Sequence, residues 1–271
     1  MNFSVVILSF NSNRTLGRCL EQTLNALLEF GSENEVFVVD NGSTDGSVEV
    51  IELLAKKHDK VLKPILFDEN TGTTFSRNAA LKRATGDYII VLDSDAYLSN
   101  DSLKVLVNYL KENPSAGLVT PRLVFEDGRF QLSFDEFPTL VRKFQRFLFL
   151  RKIEARLHKM EKLVKPIDVD YAISACWMIR RDAFERVGLF DEGIFYSPED
   201  VDYCIRMWSA GYKITYVPSA EIIHDAQELS RGFRLSIFHF SHLKGLFYLF
   251  KKHKYFFRLS GLYKRIKRNA I

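Results

Sequence analysis

The chain has 271 residues, 46% hydrophobic and 27% charged, which allows a substantial buried core and argues against a disordered or fibrous class. Its three cysteines, Cys19, Cys176 and Cys204, are odd in number and share no CxxC spacing; this argues against a disulfide framework or structural zinc and fits the reducing cytoplasm. The net charge of +4 hides a division: residues 229–271 carry 11 Lys or Arg and no acid, leaving residues 1–228 at about −7, the total less those 11.

The opening apolar stretch, Phe3 to Leu8, lacks a charged lead-in and a small-residue cleavage site, so it reads as a strand and not as a signal peptide. Short β-branched runs then alternate with amphipathic stretches. They predict strands at Ser4–Ser9, Glu35–Asp40, Leu62–Phe67 and Tyr88–Leu92, and helices at Arg14–Glu29, Ser47–Lys57, Thr74–Ala84 and Asp101–Glu112, the last capped by Asn100 and stopped by Pro114. The pattern is α/β, with a mostly parallel central sheet flanked by helices. Polar or acidic segments follow three strands, at Ser9–Asn11, Asp40–Asp45 and Asp93–Asp95. In such sheets the crevice lies beyond the carboxyl ends of the strands, so these segments should meet in one cleft.

After Pro121 the pattern turns irregular, and residues 139–165 read as a basic, aromatic, helical insertion. Order returns with a strand near Tyr171–Arg180, a helix at Pro198–Ser209, and strands near Lys213–Val217 and Glu221–His224. The predicted organisation is a body over 1–228, with a nucleotide-binding half (1–120) and an acceptor-binding half (121–228), and a basic amphipathic tail over 229–271.

Asp93-Ser94-Asp95 places two carboxylates on the turn leaving a strand, hard oxygens suited to Mg2+ or Mn2+ with positions open for a diphosphate. Solvated aspartates at a strand end would look the same. Asp40-Asn41-Gly42-Ser43-Thr44-Asp45-Gly46 reads equally as a turn in which Thr44 or Asp45 caps the next helix; as a calcium loop it fails, with Asp45 where glycine is required. Ser197-Pro198-Glu199-Asp200 opens a helix, with Ser197 as cap and Pro198 at the first position, and a carboxylate there can also serve as a general base. His224 ends a late strand and, taken alone, fits a structural role. There is no GxGxxG, GxxxxGK[ST] or GxSxG string.

Together these pieces resemble the inverting glycosyltransferases of family 2, with the GT-A fold. The matching strings are Val5-Val6-Ile7-Leu8-Ser9-Phe10-Asn11, Val38 to Gly46, Val91-Leu92-Asp93-Ser94-Asp95, Val187 to Glu192, Glu199 to Arg206 and Ala210-Gly211-Tyr212, followed by His224. The resemblance implies a nucleotide-sugar site of Ser9, Phe10, Asn11, Asp40, Asn41, Arg77, Asn78, Asp93 and Ser94, in which Asp40 accepts the imide N–H of uracil or thymine and Asp93 bonds the ribose. It implies Asp95 and His224 as metal ligands, Asp200 as catalytic base, and Trp177 and Glu199 on the acceptor side. A chain that departs from the family's Gly- or Ala-rich string at Asn70 to Asn78, with Thr73 and Thr74, leaves the donor open between UDP- and dTDP-sugars. The subgroup most resembled is the rhamnosyltransferase-like enzymes of cell-surface polysaccharide assembly, which points to dTDP-rhamnose and a saccharide or lipid-linked saccharide acceptor. A catalytically silent sugar-nucleotide-binding or scaffolding protein is the alternative.

In the tail, basic residues alternate with aromatics and no stretch reaches the roughly 20 apolar residues that span a bilayer. One reading is a helix lying on an anionic membrane surface, placing a cytoplasmic enzyme peripherally on the inner face of the plasma membrane. In the other, Phe238, Leu243, Leu246, Phe247 and Phe250 pack on the body or form a homodimer seam. Nucleic acid is not expected as a partner, because the cleft is acidic.

Overall fold

A computed structural model of the chain describes residues 1–31, 33–141, 160–226 and 237–268, with side chains of 237–240, 267 and 268 left out. Most of the predicted insertion at 139–165 lies outside the described residues. The first half runs β1 (Phe3–Ser9), α1 (Asn13–Leu27), β2 (Glu35–Asn41), α2 (Ser47–Lys57), β3 (Leu62–Phe67), α3 (Thr73–Leu81), β4 (Tyr88–Asp93), β5 (Ala96–Tyr97) and α4 (Asn100–Glu112). The second runs β6 (Ala116–Val124), β7 (Phe130–Gln131), β8 (Phe134–Asp135), β9 (Ile167–Asp168), β10 (Tyr171–Ala172), β11 (Cys176–Arg180), α5 (Arg181–Val187), α6 (Glu199–Ser209) and β12 (Lys213–His224), then α7 (Ile237–Lys252) and α8 (Ser260–Arg268).

The main sheet has the order β3-β2-β1-β4-β11-β6-β12-β5. Strands β1 to β4 pair in parallel. Because helices cover both faces of such strands, their apolar runs are nearly unbroken, and β2 is buried along its whole length. The sheet as a whole is mixed: β11 inserts antiparallel between β4 and β6, while β6 and β12 pair in parallel.

Pro121 does not end order as expected; it lies inside β6. Proline has no N–H for a ladder, and the partner β12 shifts register here, with Val217 opposite Pro121 and Glu221 opposite Arg122. The irregularity contains Pro218 to Ala220, so the two predicted strands are one bent strand. Conversely, the single strand expected over Tyr171–Arg180 is broken into β10 and β11. The cap of α4 is Ser99, whose hydroxyl accepts the Ser102 N–H at 3.2 Å; Asn100 instead donates to the Ala26 carbonyl.

The tail is attached to the body. Leu246, Leu249 and Phe250 of α7, with Tyr255, Leu262 and Ile266, join the apolar cluster that holds Tyr203 and Cys204 of α6. Each such buried side chain contributes about 1.5–3 kcal/mol. The outcome divides the apolar residues of the tail: Leu246 and Phe250 are buried, Leu243 and Phe247 are half exposed, and the side chain of Phe238 lies outside those described.

Candidate active site

The register of the parallel strands decides which polar groups meet. Ser9 lies beside Asp40, and Leu8 beside Asp93, so the ends of β1, β2 and β4 open on one edge of the sheet. The following loops are stitched together. Asn11 takes a left-handed conformation (φ 51°), which its short polar side chain tolerates. Its N–H donates to Ser43 Oγ at 2.8 Å and its side-chain oxygen accepts the Thr44 N–H at 2.9 Å. Asp45 accepts from the backbone N–H of Asn13 and of Ser47, the first residues of α1 and α2, and so joins the two helix starts, while Gly46 and not Thr44 or Asp45 takes the cap position of α2. The fully buried Asp40 accepts from the Ser43 N–H at 2.8 Å and from its hydroxyl at 2.6 Å. Phe10 is 39% exposed, and the buried Ser9 hydroxyl has no partner among the described residues.

On the acid turn, Ser94 is tied to Ser12 by a 2.8 Å hydroxyl pair. The turn is closed from the other side by β12: His224 pairs with Ala96, and the Asp225 N–H donates to the Asp95 carbonyl at 2.8 Å. Candidate ligand atoms of Asp93, Asp95 and His224 all lie within 4.8 Å of one another. His224 Nε2 is 3.2 Å from Asp95, and its Nδ1 is 2.8 Å from the side-chain oxygen of Gln131. Burial opposes a charge on His224, but the bond to Asp95 and the surrounding carboxylates win and raise its pKa. Two carboxylates and an imidazole are a donor set that fits Mn2+ or Mg2+.

Asp93 of this group also lines a cleft of about 280 Å3, together with Arg77, Ser174, Tyr196, Ser197, Glu199 and Asp200. Arg77 is 2% exposed; it donates to Asp93 at 2.5 Å, to Ser174 Oγ at 2.8 Å and to Glu199 at 3.3 Å. Burial pushes the Asp93 carboxyl up, with Arg77 opposing. Burial, then the negative charge of Asp200, pushes Glu199 up to about 8 against the pull of Arg77. Asp200 accepts the Val201 N–H in the first turn of α6.

Other expected residues sit elsewhere. Trp177, read as an acceptor-side candidate, is fully buried in the core near Phe190 and Tyr203, because both faces of β11 are covered. The Asn41 carbonyl accepts from Thr71 and Ser76, and Asn78 makes three hydrogen bonds to Phe190 and Glu192, so both amides hold loops together. Ser197 does not cap α6; its hydroxyl meets His242 Nδ1 at 3.0 Å. The two threonines that depart from the common string have a use: the Thr73 N–H donates to the Phe195 carbonyl and the Thr74 hydroxyl to that of Ile194, anchoring the loop before α6. A side chain on Gly72 (φ 87°) would lie 2.5 Å from the same Phe195 oxygen.

The base of α6 is clamped by the tail. Asp202, buried two residues after Asp200, is met by Arg206, Lys252 and His253 at 2.9, 2.6 and 2.7 Å. Burial works against its charge, but these partners hold it well below the usual carboxylate range. Lys252 also pairs with Asp191 at 2.6 Å.

The sequence model of glycosyl transferase family 2 matches residues 4–188, about two thirds of the chain. The chain belongs to glycosyl transferase family 2. Among curated relatives of this glycosyltransferase is the N-acetylglucosaminyl-diphospho-decaprenol L-rhamnosyltransferase of Mycobacterium tuberculosis, 31% identical over 226 residues that cover 77% of this chain and 72% of the relative. Rhamnosyltransferase WbbL of Escherichia coli is 31% identical over 175 residues, covering 62% and 64%. In structure, the mannosyltransferase PcManGT of Pyrobaculum calidifontis, solved in complex with GDP-Man and Mn2+, matches with a TM-score of 0.64 at 19% identity, covering 99% of this chain and 68% of that one. That likeness is one of fold, and the fold is GT-A.

Sequence reading of this family 2 member missed Gln131, Ser174 and Tyr196. Gln131 ends the two-residue strand β7 and Ser174 lies between β10 and β11, segments too short for periodicity or a motif to distinguish a site residue from a solvated one.

Proposed function

We propose that this glycosyltransferase transfers a sugar from a nucleoside diphosphate donor to an acceptor hydroxyl with inversion, Asp200 acting as the base. The observation that carries this reading is that Asp93, whose ligand atom lies within 4.8 Å of those of Asp95 and His224, lines the same cleft as Asp200. Ser9, Phe10, Asn11 and Asp40 would receive the base, with unused lone pairs of Asp40 accepting an imide N–H. Asp93 and Ser94 would meet the ribose and diphosphate, and Arg77 would act from beneath by orienting Asp93. Asp95 and His224, joined by Asp93, would hold a divalent cation, whose chemistry there is neutralisation of charge on the departing diphosphate. Asp200 takes the acceptor proton as the hydroxyl oxygen attacks the anomeric carbon from the face opposite the leaving group. A single displacement inverts the configuration.

A thymine or uracil nucleotide suits Asp40, and the mycobacterial relative, named as an L-rhamnosyltransferase acting on N-acetylglucosaminyl-diphospho-decaprenol, supports a rhamnosyl donor and a lipid-linked saccharide acceptor; on the resemblance we read the donor as dTDP-rhamnose and the setting as cell-surface polysaccharide assembly. The test is a screen of UDP- and dTDP-sugars for thermal stabilisation and for hydrolysis with Mn2+ or Mg2+. Stabilisation by dTDP-rhamnose is expected; a chain that responds to no uridine or thymidine diphosphate compound would overturn the nucleotide site. We keep 1–228 as the transferase body and 229–271 as the tail.

The tail supports a peripheral position on an anionic cytoplasmic leaflet. No helix among the described residues is long and apolar enough to cross a membrane. Leu243, Phe247 and Phe257 are 51%, 51% and 65% exposed, and Lys244, Lys251, Lys254 and Arg258 are exposed with them. Positions 243, 247 and 251 share one stripe of α7 at i, i+4 spacing. Basic groups near such a leaflet contribute about 1 kcal/mol each. Salt-sensitive sedimentation with phosphatidylglycerol vesicles, lost in a Leu243→Ser, Phe247→Ser variant, is the expected result; binding unchanged in that variant, or a shift to dimer without lipid, would overturn it.

A further inference from the structure

We propose that Gln131 is a positioning residue for the cation site, fixing the ring orientation and tautomer of His224 so that Nε2 is presented to the space shared with Asp93 and Asp95. This rests on the cation reading given above. The geometry is a short chain of contacts: the Gln131 side-chain oxygen lies 2.8 Å from His224 Nδ1, and His224 Nε2 lies 3.2 Å from Asp95. An amide oxygen only accepts, so Nδ1 keeps its hydrogen; when a cation displaces the Nε2 hydrogen that is shared with Asp95, the neutral imidazole has its lone pair on Nε2.

The fold holds the two residues together through a common neighbour. β6 pairs with β7 at Leu123 to Gln131 and Val124 to Phe130, and with β12 at Leu123 to Ile222 and Val124 to Ile223. The end of β6 therefore sets both the position of Gln131 and that of the strand end carrying His224. The turn between β6 and β7 is closed by the Phe125 N–H donating to the Arg129 carbonyl and the Gly128 N–H to that of Phe125. Arg122 lies over the Phe130 ring at 5.1 Å. His224 is 7% exposed, so the ring has little room to turn. The opposite orientation of the amide, with its N–H donating to Nδ1, would leave a proton on Nε2 facing Asp95 and block the ligand atom. Loss of such an outer partner typically weakens metal binding about 10- to 100-fold.

The experiment measures the Mn2+ dissociation constant of the full chain from the electron paramagnetic resonance of free Mn2+, without nucleotide, beside melting in EDTA. Gln131→Leu should bind Mn2+ about 10- to 100-fold more weakly, while Gln131→Glu, which keeps an acceptor at Nδ1, should stay within a few-fold of wild type. Wild-type affinity in Gln131→Leu, or equal loss in both variants, would overturn the assignment. A wild-type chain that binds no Mn2+ would sink the cation reading and this inference together. If Gln131→Leu proves unstable in EDTA, nitrogen-15 spectra of the wild-type imidazole with Mg2+ decide the matter: a hydrogen on Nδ1 supports the proposal and a hydrogen on Nε2 refutes it.

Discussion

Arg77 reaches Asp93 at 2.5 Å and Glu199 at 3.3 Å with the two ends of one buried guanidinium. The acid turn after β4 and the first turn of α6 are thereby held at a set distance across the cleft, by a residue that the family resemblance implies only as a donor contact.

Replacing it by Arg77→Met leaves the Asp93 carboxylate and the Glu199 carboxyl without their shared cation. Breaking a buried pair this way costs about 3–5 kcal/mol. The expected outcome is that loss in urea denaturation, together with lower donor affinity. Arg77→Lys should recover only part of both, because a point charge cannot serve Asp93, Ser174 and Glu199 at once. Wild-type stability in Arg77→Met would show that the bridge is not needed.

Asp200→Asn should lower transfer by about 100- to 10,000-fold, the range of general base catalysis, with donor affinity by calorimetry within about two-fold of wild type, since uniform binding is not what a base supplies. Turnover near wild type would remove Asp200 from the mechanism.

Glu199 makes a prediction about pH. Its folded pKa of about 8 lies above the ordinary carboxylate value near 4.3. Between those values the folded chain binds more protons than the unfolded one, so this contribution to stability is present in full below about pH 4 and erodes as pH rises toward 8. Glu199→Gln, which resembles the protonated form, should flatten that decline when melting temperature is followed from pH 6 to 9. A decline equal to wild type would refute the protonated state.

Gly245 of α7 lies against the loop before α6, and a methyl group there would sit 2.1 Å from the Ser197 carbonyl oxygen. Gly245→Ala should therefore destabilise the chain by about 1–3 kcal/mol through overpacking, although alanine favours a helix, and should lower transfer by moving Ser197 and Asp200. A variant more stable than wild type would show that the contact yields easily.

What was legible in the sequence was legible because it is local. The apolar runs of β1, β2 and β4 and the acids that follow them reflect strands buried on both faces, so the fold class and the placing of Asp40, Asp93 and Asp95 at one edge of the sheet followed from pattern and spacing. The ordered family strings added Asp200 and His224, whose side chains lie far along the chain from that edge. Trp177 was misread because an aromatic residue near a predicted cleft looks the same whether β11 lies at an edge or, as here, between two strands.

Three features were decided by tertiary structure alone. The bridge from Arg77 to Glu199, the hold of Gln131 on His224 and the clamp of Lys252 and His253 on Asp202 join residues separated by 122, 93, and 50 or 51 positions. No periodicity encodes such pairs, because hydrogen bonds and charge pairs act over a few ångströms in space, and only the sheet order and the docking of α7 bring these atoms within that range. The sequence determined the strands, helices and acids of this glycosyltransferase; their packing determined which acid has a partner, which carries a proton, and which faces the cleft.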